Sequence, residues 1–534
     1  MLNTDVLIAG GGPVGLTLAI ALGQRNVRVC LVEKKAQPEF LPKMERTNAR
    51  SMEMFRRLGL ADRIRAASEY TPLPTDIFLV TALNEPPILR LLYPSVPEAK
   101  KQIEQCRDGS LPLEPYQLIS QYTMEPLLRA AAEALPSVEI RFGVELISLE
   151  QDEHGVTAAL SGDKGTESME AAYLVGCDGD GSTVRKQLGI TLEGTGNLRE
   201  MQRLFFRSEQ LFEKITVGQG RHYQFPECGL VVQDDLKHFM SNFYQIEEGV
   251  DPVERLKQVT GIDFDVEVLD LSPWQMNLLA ANRLRMGRAF IAGDAAHLVI
   301  SHGGLGMNTG IGDAVDIAWK LAGILAGWGG PGLLESYEVE RRQIALRAVD
   351  ASRAATQGAL GWRDVCAPNI RDKTPEGAET RTRVRRFGGW GQKDAHDMRG
   401  IEQGYRYTRS PIIFGDEETG EGPDPDSMLK YIPTTWPGAR LPHVWLDDGT
   451  AVQDQLGSGY TLLKLAGTAA DTTALEKALR ARGVPLEVLA LPDADARAVY
   501  ERDLILLRPD MHVVWRGNTA PENPERLADV AAGL

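Results

Sequence analysis

The beginning of the chain constrains the fold most strongly, because a glycine fingerprint stands there between a strand and a helix. Residues 5–9 are a short apolar run, residues 10–15 read GGGPVG, and an apolar stretch continues to about residue 25. A second apolar strand is predicted at residues 27–32, and Glu33 closes it. This order of strand, turn, helix and strand predicts a βαβ unit with a parallel sheet.

Each glycine of the G-x-G-x-x-G pattern has a physical task in such a unit. Gly10 makes the tight turn, Gly12 lets the backbone approach a pyrophosphate, and Gly15 allows the helix to pack closely on the strand. Glu33 stands where a carboxylate can bind a ribose hydroxyl. The segment therefore predicts a dinucleotide site, and the pattern alone does not distinguish FAD from NAD.

A second constraining segment lies past the midpoint of the chain. A buried strand is predicted at residues 288–292, followed by a turn at Gly293 and Asp294, and a glycine-rich loop at 303–306 feeds a helix that runs to about residue 325. A helix beginning at such a loop suits an anion such as a reduced flavin, and Asp294 can accept hydrogen bonds from a ribityl chain. A strand-turn-helix corner with glycines as packing devices explains the same residues equally well.

Composition sets the outer limits. A chain of 534 residues predicts two to four domains, and the net charge of −16 argues against nucleic acid and anionic membrane surfaces as partners. Five widely spaced cysteines without a C-x-x-C pair indicate a reduced, intracellular compartment, so we expect a cytoplasmic protein. No run reaches the roughly 18 apolar residues that span a bilayer. No metal-binding motif is predicted.

Two further polar clusters lie between these segments. Arg46 and Arg50 stand at the start of a predicted amphipathic helix, where they can reach a diphosphate or the flavin edge or form a solvated basic face. Asp178 and Gly179 follow a buried strand at residues 172–175 and precede a helix start near Arg185. As an isolated cluster they favour helix capping over a ligand contact.

Taken together, three motifs make a specific resemblance. GGGPVG with Glu33, then Cys177-Asp178-Gly179, then Gly293-Asp294-Ala295-Ala296-His297 resemble the fingerprints of the FAD-dependent aromatic hydroxylases. These are single-component flavoprotein monooxygenases similar to para-hydroxybenzoate hydroxylase and phenol hydroxylase. The order and spacing match over about the first 400 residues.

The resemblance implies FAD as cofactor and NAD(P)H as an electron donor that docks transiently, because one glycine fingerprint stands in the right context. Glu33 would hold the adenosine ribose, Asp178 would lie where the diphosphate and the nicotinamide meet, and Asp294 would bind the ribityl chain. The cofactor contacts it implies are Gly10, Gly12, Pro13, Val14, Gly15, Glu33, Lys34, Arg46, Arg50, Gln121, Asp178, Gly179, Gly293, Asp294, Gly304, Gly306, Met307 and Asn308.

The implied reaction has two halves. Hydride reduces the flavin, and O2 then gives a flavin C4a-hydroperoxide whose distal oxygen is transferred to a phenolic or polyphenolic aromatic substrate. Two alternatives remain open at this point. One is an FAD-dependent dehydrogenase or oxidase that makes no hydroperoxide, and the other is a non-catalytic FAD-bound interaction protein.

One departure from the family pattern concerns the loop after the third motif. Relatives often carry a Pro-Pro pair there, whereas this chain has Ile300 and Ser301, followed by His302. Loss of the prolines predicts a freer loop. His302 is then either an acid-base group near the substrate or a hydrogen-bonded loop histidine.

Residues 186–275 are predicted to form a mainly antiparallel sheet that binds the substrate. The candidates for catalytic contact with the ring are His302, His222, Tyr223 and Tyr244, and Asn242, Trp274 and Met276 are further candidates for the pocket lining. A register error of one residue would turn the strand residues to the other face.

The predicted fold class is α/β: a Rossmann-like FAD-binding domain with an inserted, mainly antiparallel substrate domain and a C-terminal thioredoxin-like domain. The last domain, of βαββα order, resembles the thioredoxin-like domain that phenol hydroxylase relatives carry. It lacks a C-x-x-C pair, so it is expected to serve packing or dimerisation, and a homodimer is an expected assembly. The predicted boundaries are 1–185 and 276–399 for the FAD-binding domain, 186–275 for the substrate domain, 400–440 for a linker and 441–534 for the thioredoxin-like domain.

Overall fold

The structure is a computed structural model that describes residues 3–163, 165–415, 422–424, 427–465 and 467–534. The predicted linker at 400–440 includes residues 416–421 and 425–426, which lie outside the described ranges.

The first part of the chain alternates strands and helices. Its elements are β1 (Thr4–Ala9), α1 (Pro13–Gly23), β2 (Val29–Glu33), β3 (Arg46–Thr47), α2 (Ala49–Arg57), α3 (Ala61–Ala66), β4 (Ile77–Leu79), β5 (Leu89–Leu91), α4 (Val96–Gln105), β6 (Gln117–Leu118), α5 (Gln121–Glu133), β7 (Val138–Phe142), β8 (Glu145–Gln151), β9 (Val156–Gly162), β10 (Gly165–Gly176) and α6 (Thr183–Gln187).

The middle part is mostly β-structure. Its elements are β11 (Leu192–Thr195), β12 (Glu200–Arg207), α7 (Leu211–Lys214), β13 (His222–Gln224), β14 (Cys228–Val232), β15 (His238–Phe243), α8 (Pro252–Thr260), β16 (Glu267–Gln275), β17 (Leu278–Ala281), β18 (Arg285–Met286), β19 (Ala289–Ile291) and β20 (His297–Leu298).

Long helices and a small C-terminal unit complete the chain. The elements are α9 (Gly306–Leu325), α10 (Pro331–Gly361), α11 (Pro375–His396), α12 (Arg399–Gln403), β21 (Tyr460–Leu465), α13 (Thr473–Ala481), β22 (Leu486–Leu491), α14 (Ala494–Tyr500), β23 (Leu504–Leu507), β24 (Val513–Gly517) and α15 (Pro524–Ala532).

The sheet that positions the nucleotide motifs has the order β18-β19-β10-β1-β2-β7, and the hairpin β8-β9 extends from β10. Strands β1, β2, β7, β10 and β19 run parallel, so the carboxyl ends of β1, β10 and β19 meet at one edge. Strand β1 is an almost continuous apolar run that is buried along nearly its whole length, and α1 packs on the sheet. The predicted α/β fold class is confirmed, as a mixed α/β fold with several sheets.

The second large sheet has the order β16-β12-β15-β14-β13-β4-β5. Strands β4 and β5 come from outside residues 186–275, the range predicted for the substrate sheet. They belong here because β4 pairs in parallel with β13, and Phe78 stacks on Tyr223 with ring centroids 5.3 Å apart. The sequence pattern of two short strands could not show which sheet they would join.

The C-terminal unit has a sheet of order β22-β21-β23-β24. Helices α13 and α15 pack on one face together with Trp319 of α9, and α14 packs on the other through Ala496 and Tyr500. The observed order is βαβαββα, which has one strand and one helix, α14, more than the predicted βαββα. That helix is only seven residues long and depends on the Asp493 side chain, which caps it by accepting from the Ala496 amide.

A buried ionic cluster joins the C-terminal unit to the long helices. Arg508 pairs with Glu340 at 2.5 Å and with Asp316 at 3.3 Å, and Lys320 lies 2.7 Å from both carboxylates. The Arg508 and Lys320 side chains have no exposed surface. Because a buried charge that loses its partner costs several kcal/mol, this cluster fixes the docking of the unit.

Candidate functional site

Three glycines shape the turn after β1. Gly10 has a positive φ of 111°, and a Cβ there would overlap the carbonyl group of Cys177. A Cβ on Gly15 would overlap the carbonyl oxygen of Gly10. A Cβ on Gly12 would meet nothing within 4 Å, and α1 begins there without a side-chain cap. Gly10 and Gly15 are therefore required by packing, whereas Gly12 leaves the amide end of α1 open.

Glu33 lies at the end of β2 beside this turn. Its Oε2 accepts from the Gly11 amide at 2.7 Å, and its Oε1 accepts from the Lys35 amide at 2.9 Å. These bonds hold the carboxylate at the edge of the groove, where the sequence placed the adenosine ribose. Lys34, next to it, is exposed.

Asp178 caps the helix that follows it. Its Oδ1 accepts from Ser182 Oγ at 2.5 Å, and its Oδ2 accepts from the Thr183 amide at 2.7 Å and the Val184 amide at 3.1 Å. Gly179 has a positive φ of 80°, and a Cβ there would meet nothing within 4 Å. The side chain thus performs the capping role that the sequence favoured for the isolated cluster, and a contact of Asp178 with the cofactor stays a prediction.

The two glycine turns meet around Val14. A Cβ on Gly293 would lie 3.0 Å from a methyl group of Val14, and a Cβ on Gly310 would lie 2.6 Å from the same methyl group and 3.0 Å from the Cα of Gly293. The first turn of α1, the turn after β19 and the body of α9 therefore touch. Asp294 is exposed at this junction.

A buried charge network missed by the sequence analysis holds the second turn. Asp313 of α9 accepts from the Gly293 amide at 3.1 Å, lies 2.9 Å from His297 Nε2 and accepts from Arg341 Nε at 2.7 Å. Burial opposes ionisation, but Arg341 and His297 lower the pKa of Asp313. The available signal was an aspartate flanked by small and apolar residues in the predicted helix.

The loop of residues 300–305, named here the α9 loop, is anchored from the N-terminal part of the chain. Gly303 and Gly304 have positive φ angles of 88° and 63°. Arg46 Nη2 donates to the Gly303 carbonyl at 2.6 Å, and Asn308 Nδ2 donates to the Gly304 carbonyl at 2.6 Å and to the Arg46 carbonyl at 3.1 Å. The Asn48 amide in turn donates to Asn308 Oδ1 at 2.9 Å.

Helix α9 begins at Gly306 without a side-chain cap, so the first-turn amides of residues 306–308 carry the positive end of the helix dipole. Met307 is partly buried against the core of the parallel sheet. Arg46 Nε is buried and has no hydrogen-bond partner among the described residues. An anionic ring system beside the α9 loop would satisfy both features.

The residues present fit an extended dinucleotide such as FAD. The open amide end at Gly12 suits a pyrophosphate, Glu33 suits a ribose, exposed Asp294 suits a ribityl chain, and the first turn of α9 suits a flavin that becomes anionic. The junction at Val14 brings these features into one groove.

Arg50, a predicted cofactor contact, binds the C-terminal unit and a residue of its own helix. Its Nη2 donates to the Asp510 carbonyl at 3.1 Å, and its Nη1 lies 3.5 Å from Glu53 Oε2. Asp510 lies at the tip of the β23-β24 hairpin. A contact of Arg50 with the cofactor stays a prediction, and the sequence could not tell whether Arg46 or Arg50 reaches the α9 loop.

Gln121 stands at the first position of α5. Its Nε2 donates to Glu125 Oε1 at 2.5 Å, and its amide donates to the Met44 carbonyl at 3.2 Å. A contact with the cofactor from this position stays a prediction.

On the other side of the α9 loop, β13 presents a polar surface. His222 is buried, with both ring nitrogens lacking a hydrogen-bond partner among the described residues, and its Nε2 lies 3.5 Å from Glu45 Oε1. Arg221 forms an ion pair with the same Glu45 oxygen. Burial and the Arg221 charge lower the pKa of His222 to about 4, so it is a neutral imidazole at neutral pH.

His396, which the sequence analysis missed, faces His222. The two rings are arranged edge to face with centroids 5.7 Å apart, and Tyr93 lies 6.3 Å from His396. His396 Nδ1 bonds to the Gln392 carbonyl at 2.8 Å, which leaves the lone pair on Nε2. Burial, His222 and Arg221 lower the pKa of His396 well below its usual value. No local motif marked this residue at the end of α11.

An apolar wall adjoins the polar surface. Tyr244, Met276 and Ile300 are buried in one cluster with Met201, and Trp274 packs against it. Asn242 accepts from Trp274 Nε1 at 3.2 Å. The predicted lining residues Trp274 and Met276 therefore come together with the α9 loop through Ile300.

The hydroxyl group of Tyr244 already has two partners. It accepts from Arg363 Nη2 at 2.7 Å and donates to Gln224 Oε1 at 3.0 Å. Burial raises the pKa of Tyr244 to about 12 although Arg363 lowers it, so this phenol does not act as a base near neutral pH. Arg363, at the end of α10, was not predicted.

His302 is a partly buried loop residue, and its Nδ1 lies 3.4 Å from Thr356 Oγ1. Burial, Arg363 and His222 lower the pKa of His302 to about 4. Ser352 donates to the Ile300 carbonyl at 3.0 Å. Side chains of α10 thus hold the loop that the absence of prolines was expected to leave freer.

Tyr223, a predicted catalytic contact, alternates with His222 along β13 and is buried in the core between the sheet and α8. Its hydroxyl donates to the Gly218 carbonyl at 2.8 Å and accepts from the Gly220 amide at 2.9 Å. Both bonds are to nearby backbone groups, and a contact of Tyr223 with a substrate stays a prediction.

Comparison with known proteins identifies the class of enzyme. The family described as FAD binding domain matches residues 3–221 and 247–352, which is more than half of the chain, and the one described as Aromatic-ring hydroxylase, C-terminal matches residues 434–533. The chain belongs to the family of FAD-dependent aromatic hydroxylases. It is an FAD-dependent monooxygenase, as the resemblance predicted, and FAD is its cofactor.

Individual relatives extend over nearly the whole chain. FAD-dependent monooxygenase apdD of Emericella nidulans is 33% identical over 99% of this chain and 90% of its own length. Aklavinone 12-hydroxylase RdmE of Streptomyces purpurascens is 31% identical over 97% and 96%. The structure of the rebeccamycin biosynthetic enzyme RebC with reduced flavin matches with a TM-score of 0.89 at 32% identity, over 100% of this chain and 99% of that one.

Among the described residues, none of the helices combines the length and the apolar character needed to cross a membrane.

Proposed function

We propose that this protein hydroxylates a phenolic or polyphenolic aromatic compound of polyketide type with NAD(P)H and O2. The observation that carries the proposal is the double role of the α9 loop. Gly303 and Gly304 are bonded to Arg46 and Asn308 of the flavin groove, whereas Ile300 belongs to the apolar wall of the adjoining pocket. A ring in this pocket would lie beside the flavin. The name of the aklavinone hydroxylase supports this substrate class.

When bound in the groove, FAD would supply the redox chemistry, with electrons from NAD(P)H and activation of O2 for transfer of one oxygen atom to the ring. The protein has three tasks around it. The first turn of α9 and Arg46 stabilise negative charge, the apolar wall excludes water, and the pocket must accept the phenol proton.

His222 and His396 are suited to the last task. Both imidazoles are held neutral, and His396 keeps a lone pair on Nε2 while its Nδ1 is bonded to the Gln392 carbonyl. His222 is buried, whereas His396 is partly exposed. A proton released by the substrate would thus have an acceptor at the ring and a second one closer to solvent. His302, in the α9 loop, remains a further candidate for accepting the phenol proton.

The domain scheme is part of the proposal. Two stretches, 1–185 and 276–399, would form the FAD-binding domain around the inserted sheet, and 441–534 would be a thioredoxin-like domain. The β21-to-α15 order, with helices on both faces of a four-stranded sheet, supports the latter. Its lack of cysteines favours a packing or dimerisation role.

The test is a screen of phenols with the purified yellow protein. The expected result is consumption of NAD(P)H that a substrate stimulates, with one atom of ¹⁸O₂ appearing in the product. Stimulated consumption with no labelled oxygen in the product would favour the dehydrogenase or oxidase alternative and contradict the proposal.

A further inference from the structure

Glu402 is a buried carboxylate next to the α9 loop, in a segment that the sequence predicted to be a linker. Its side chain has no exposed surface. Its Oε1 lies 3.3 Å from Arg46 Nη2, and its Oε2 accepts a hydrogen bond of 2.5 Å from the Tyr116 hydroxyl. Arg46 therefore stands between Glu402 and the Gly303 carbonyl.

The charge of Glu402 is incompletely compensated. Arg46 Nη2 donates to the Gly303 carbonyl at 2.6 Å, which is closer than its 3.3 Å approach to Glu402. Tyr116, the other partner, is a neutral donor, and its ring lies 4.7 Å from the Arg46 guanidinium. Burial raises the pKa of Glu402 to about 7, although Arg46 and Tyr116 lower it. A carboxyl group of this kind gains or loses a proton near neutral pH.

Arg46 is the cation seen in contact with the Glu402 carboxylate. Arg347 donates to the Gly400 and Ser427 carbonyls, and Arg50 donates to the Asp510 carbonyl. The titratable and charged groups that face Glu402 or share its cavity are Arg46, Arg50, Tyr116, Arg341, Arg347, Asp397, Arg399 and Tyr405.

A small cavity adjoins this carboxyl group. It has a volume of about 30 Å³, and Glu402, Asn308, Thr309 and Tyr405 are among its lining residues. A space of this size is large enough for a water molecule bonded to such polar groups. Because Asn308 belongs to the first turn of α9, Glu402 and that turn border the same cavity.

We propose that Glu402 takes up a proton when the bound flavin is reduced. Two electrons and one proton convert the oxidised flavin into its reduced anion, and a second proton from solvent converts the Glu402 carboxylate into a carboxylic acid. The electrons come from a two-electron donor, and no covalent bond to Glu402 forms. New negative charge beside Arg46 competes with Glu402 for that cation, which raises the affinity of the carboxylate for a proton.

Proton uptake can be counted from the midpoint potential of the holoenzyme as a function of pH. For a two-electron couple, each proton taken up lowers the potential by about 30 mV per pH unit. Between the Glu402 pKa of about 7 in the oxidised protein and its higher pKa in the reduced protein, the wild type is expected to take up one proton more than Glu402→Gln. Its slope is then steeper by about 30 mV per pH unit. Equal slopes in the two proteins would overturn the proposal.

An infrared difference spectrum, reduced minus oxidised, gives a second readout. The wild type is expected to gain the carbonyl band of a protonated carboxylic acid, which Glu402→Gln lacks. Asp397→Asn is the matched control, because it removes a neighbouring carboxyl group that does not contact Arg46, and it should keep the band. Absence of the band from the wild type, or its loss only in Asp397→Asn, would contradict the assignment.

A second variant covers the case in which Glu402→Gln does not fold. Tyr116→Phe removes the donor to the ionised carboxylate, so the steep part of the potential curve should move to higher pH. A curve identical to that of the wild type would argue against Glu402.

The inference deepens the proposed function but rests only on FAD binding, since a chemical reductant or an electrode supplies the electrons. A protein that shows the extra proton but hydroxylates no phenol would contradict the proposed function and leave this inference standing. Hydroxylation of a phenol without the extra proton would support the proposed function and contradict this inference.

Discussion

The flavin groove and the proposed substrate pocket share the α9 loop but are built in different ways. The groove uses backbone groups and glycines from short contiguous motifs, such as the turn at Gly10 and the first turn of α9. The pocket uses side chains from distant elements, such as His222 of β13 and His396 of α11. A backbone site leaves a local pattern in the sequence, whereas a side-chain site depends on strand register and helix docking. Substitutions in the groove and in the pocket test this difference.

The largest effect is expected from Gly15→Ala. The added methyl group would overlap the Gly10 carbonyl oxygen, so α1 must move away from β1, at a cost of about 3 kcal/mol or more. Soluble yield, thermal unfolding and FAD content should all fall. Gly12→Ala is the control: its Cβ meets no protein atom within 4 Å, so the apoprotein should unfold like the wild type while the affinity for FAD drops by about tenfold. Equal stability of the two variants would show that close packing is not the reason why glycine is needed at position 15.

Adjacent residues of β13 give the next test. His222→Ala should lower kcat for hydroxylation by about 100-fold with little change in FAD binding, because it removes a proton acceptor. Tyr223→Phe loses its bonds to Gly218 and Gly220 and should cost about 1 kcal/mol of stability without changing kcat. Steady-state kinetics measure kcat, and urea unfolding measures the stability of each variant. A loss of kcat in Tyr223→Phe but not in His222→Ala would mean that β13 faces the substrate with Tyr223.

Arg46 and Arg50 test which arginine serves the groove. Arg46→Ala should weaken FAD binding by about tenfold, because the α9 loop loses its anchor at Gly303. Arg50→Ala should leave the FAD affinity unchanged and lower the unfolding free energy by about 1–2 kcal/mol, because it contacts the hairpin tip at Asp510. Flavin fluorescence titration and urea unfolding separate the two effects. Weaker FAD binding in Arg50→Ala would instead support the prediction that Arg50 contacts the cofactor.

The smallest effect concerns pH. The pKa of His222 is lowered to about 4 in the folded protein, whereas the unfolded chain titrates near ~6.5. Between these values the unfolded state binds more protons, so this residue makes stability fall as pH decreases from ~6.5 to ~4. His222→Gln should reduce that loss by on the order of 1 kcal/mol between pH ~7 and ~5. Urea unfolding of both proteins at the two pH values measures this loss. An equal loss of stability in the wild type and in His222→Gln would exclude a contribution from His222.

Much of the architecture was predictable from local patterns. The parallel strands around the first fingerprint, the helix beginning at the glycine-rich loop and strands β21 and β22 follow from apolar runs bounded by glycines and turns. The α/β fold class, the FAD cofactor and the monooxygenase family are confirmed. Helix α14 was missed because seven residues give too little periodicity.

By itself, the amino-acid sequence determined the flavin groove, because each tight turn or close contact in it requires a glycine at one particular position. Only the tertiary structure decided where the other side chains lie. Tyr223 is buried in the core of its sheet, Arg50 contacts the C-terminal hairpin, and Glu402 contacts Arg46 from a segment that was predicted to be a linker. The physical reason is that such contacts depend on how whole strands and helices dock, which no short stretch of sequence encodes.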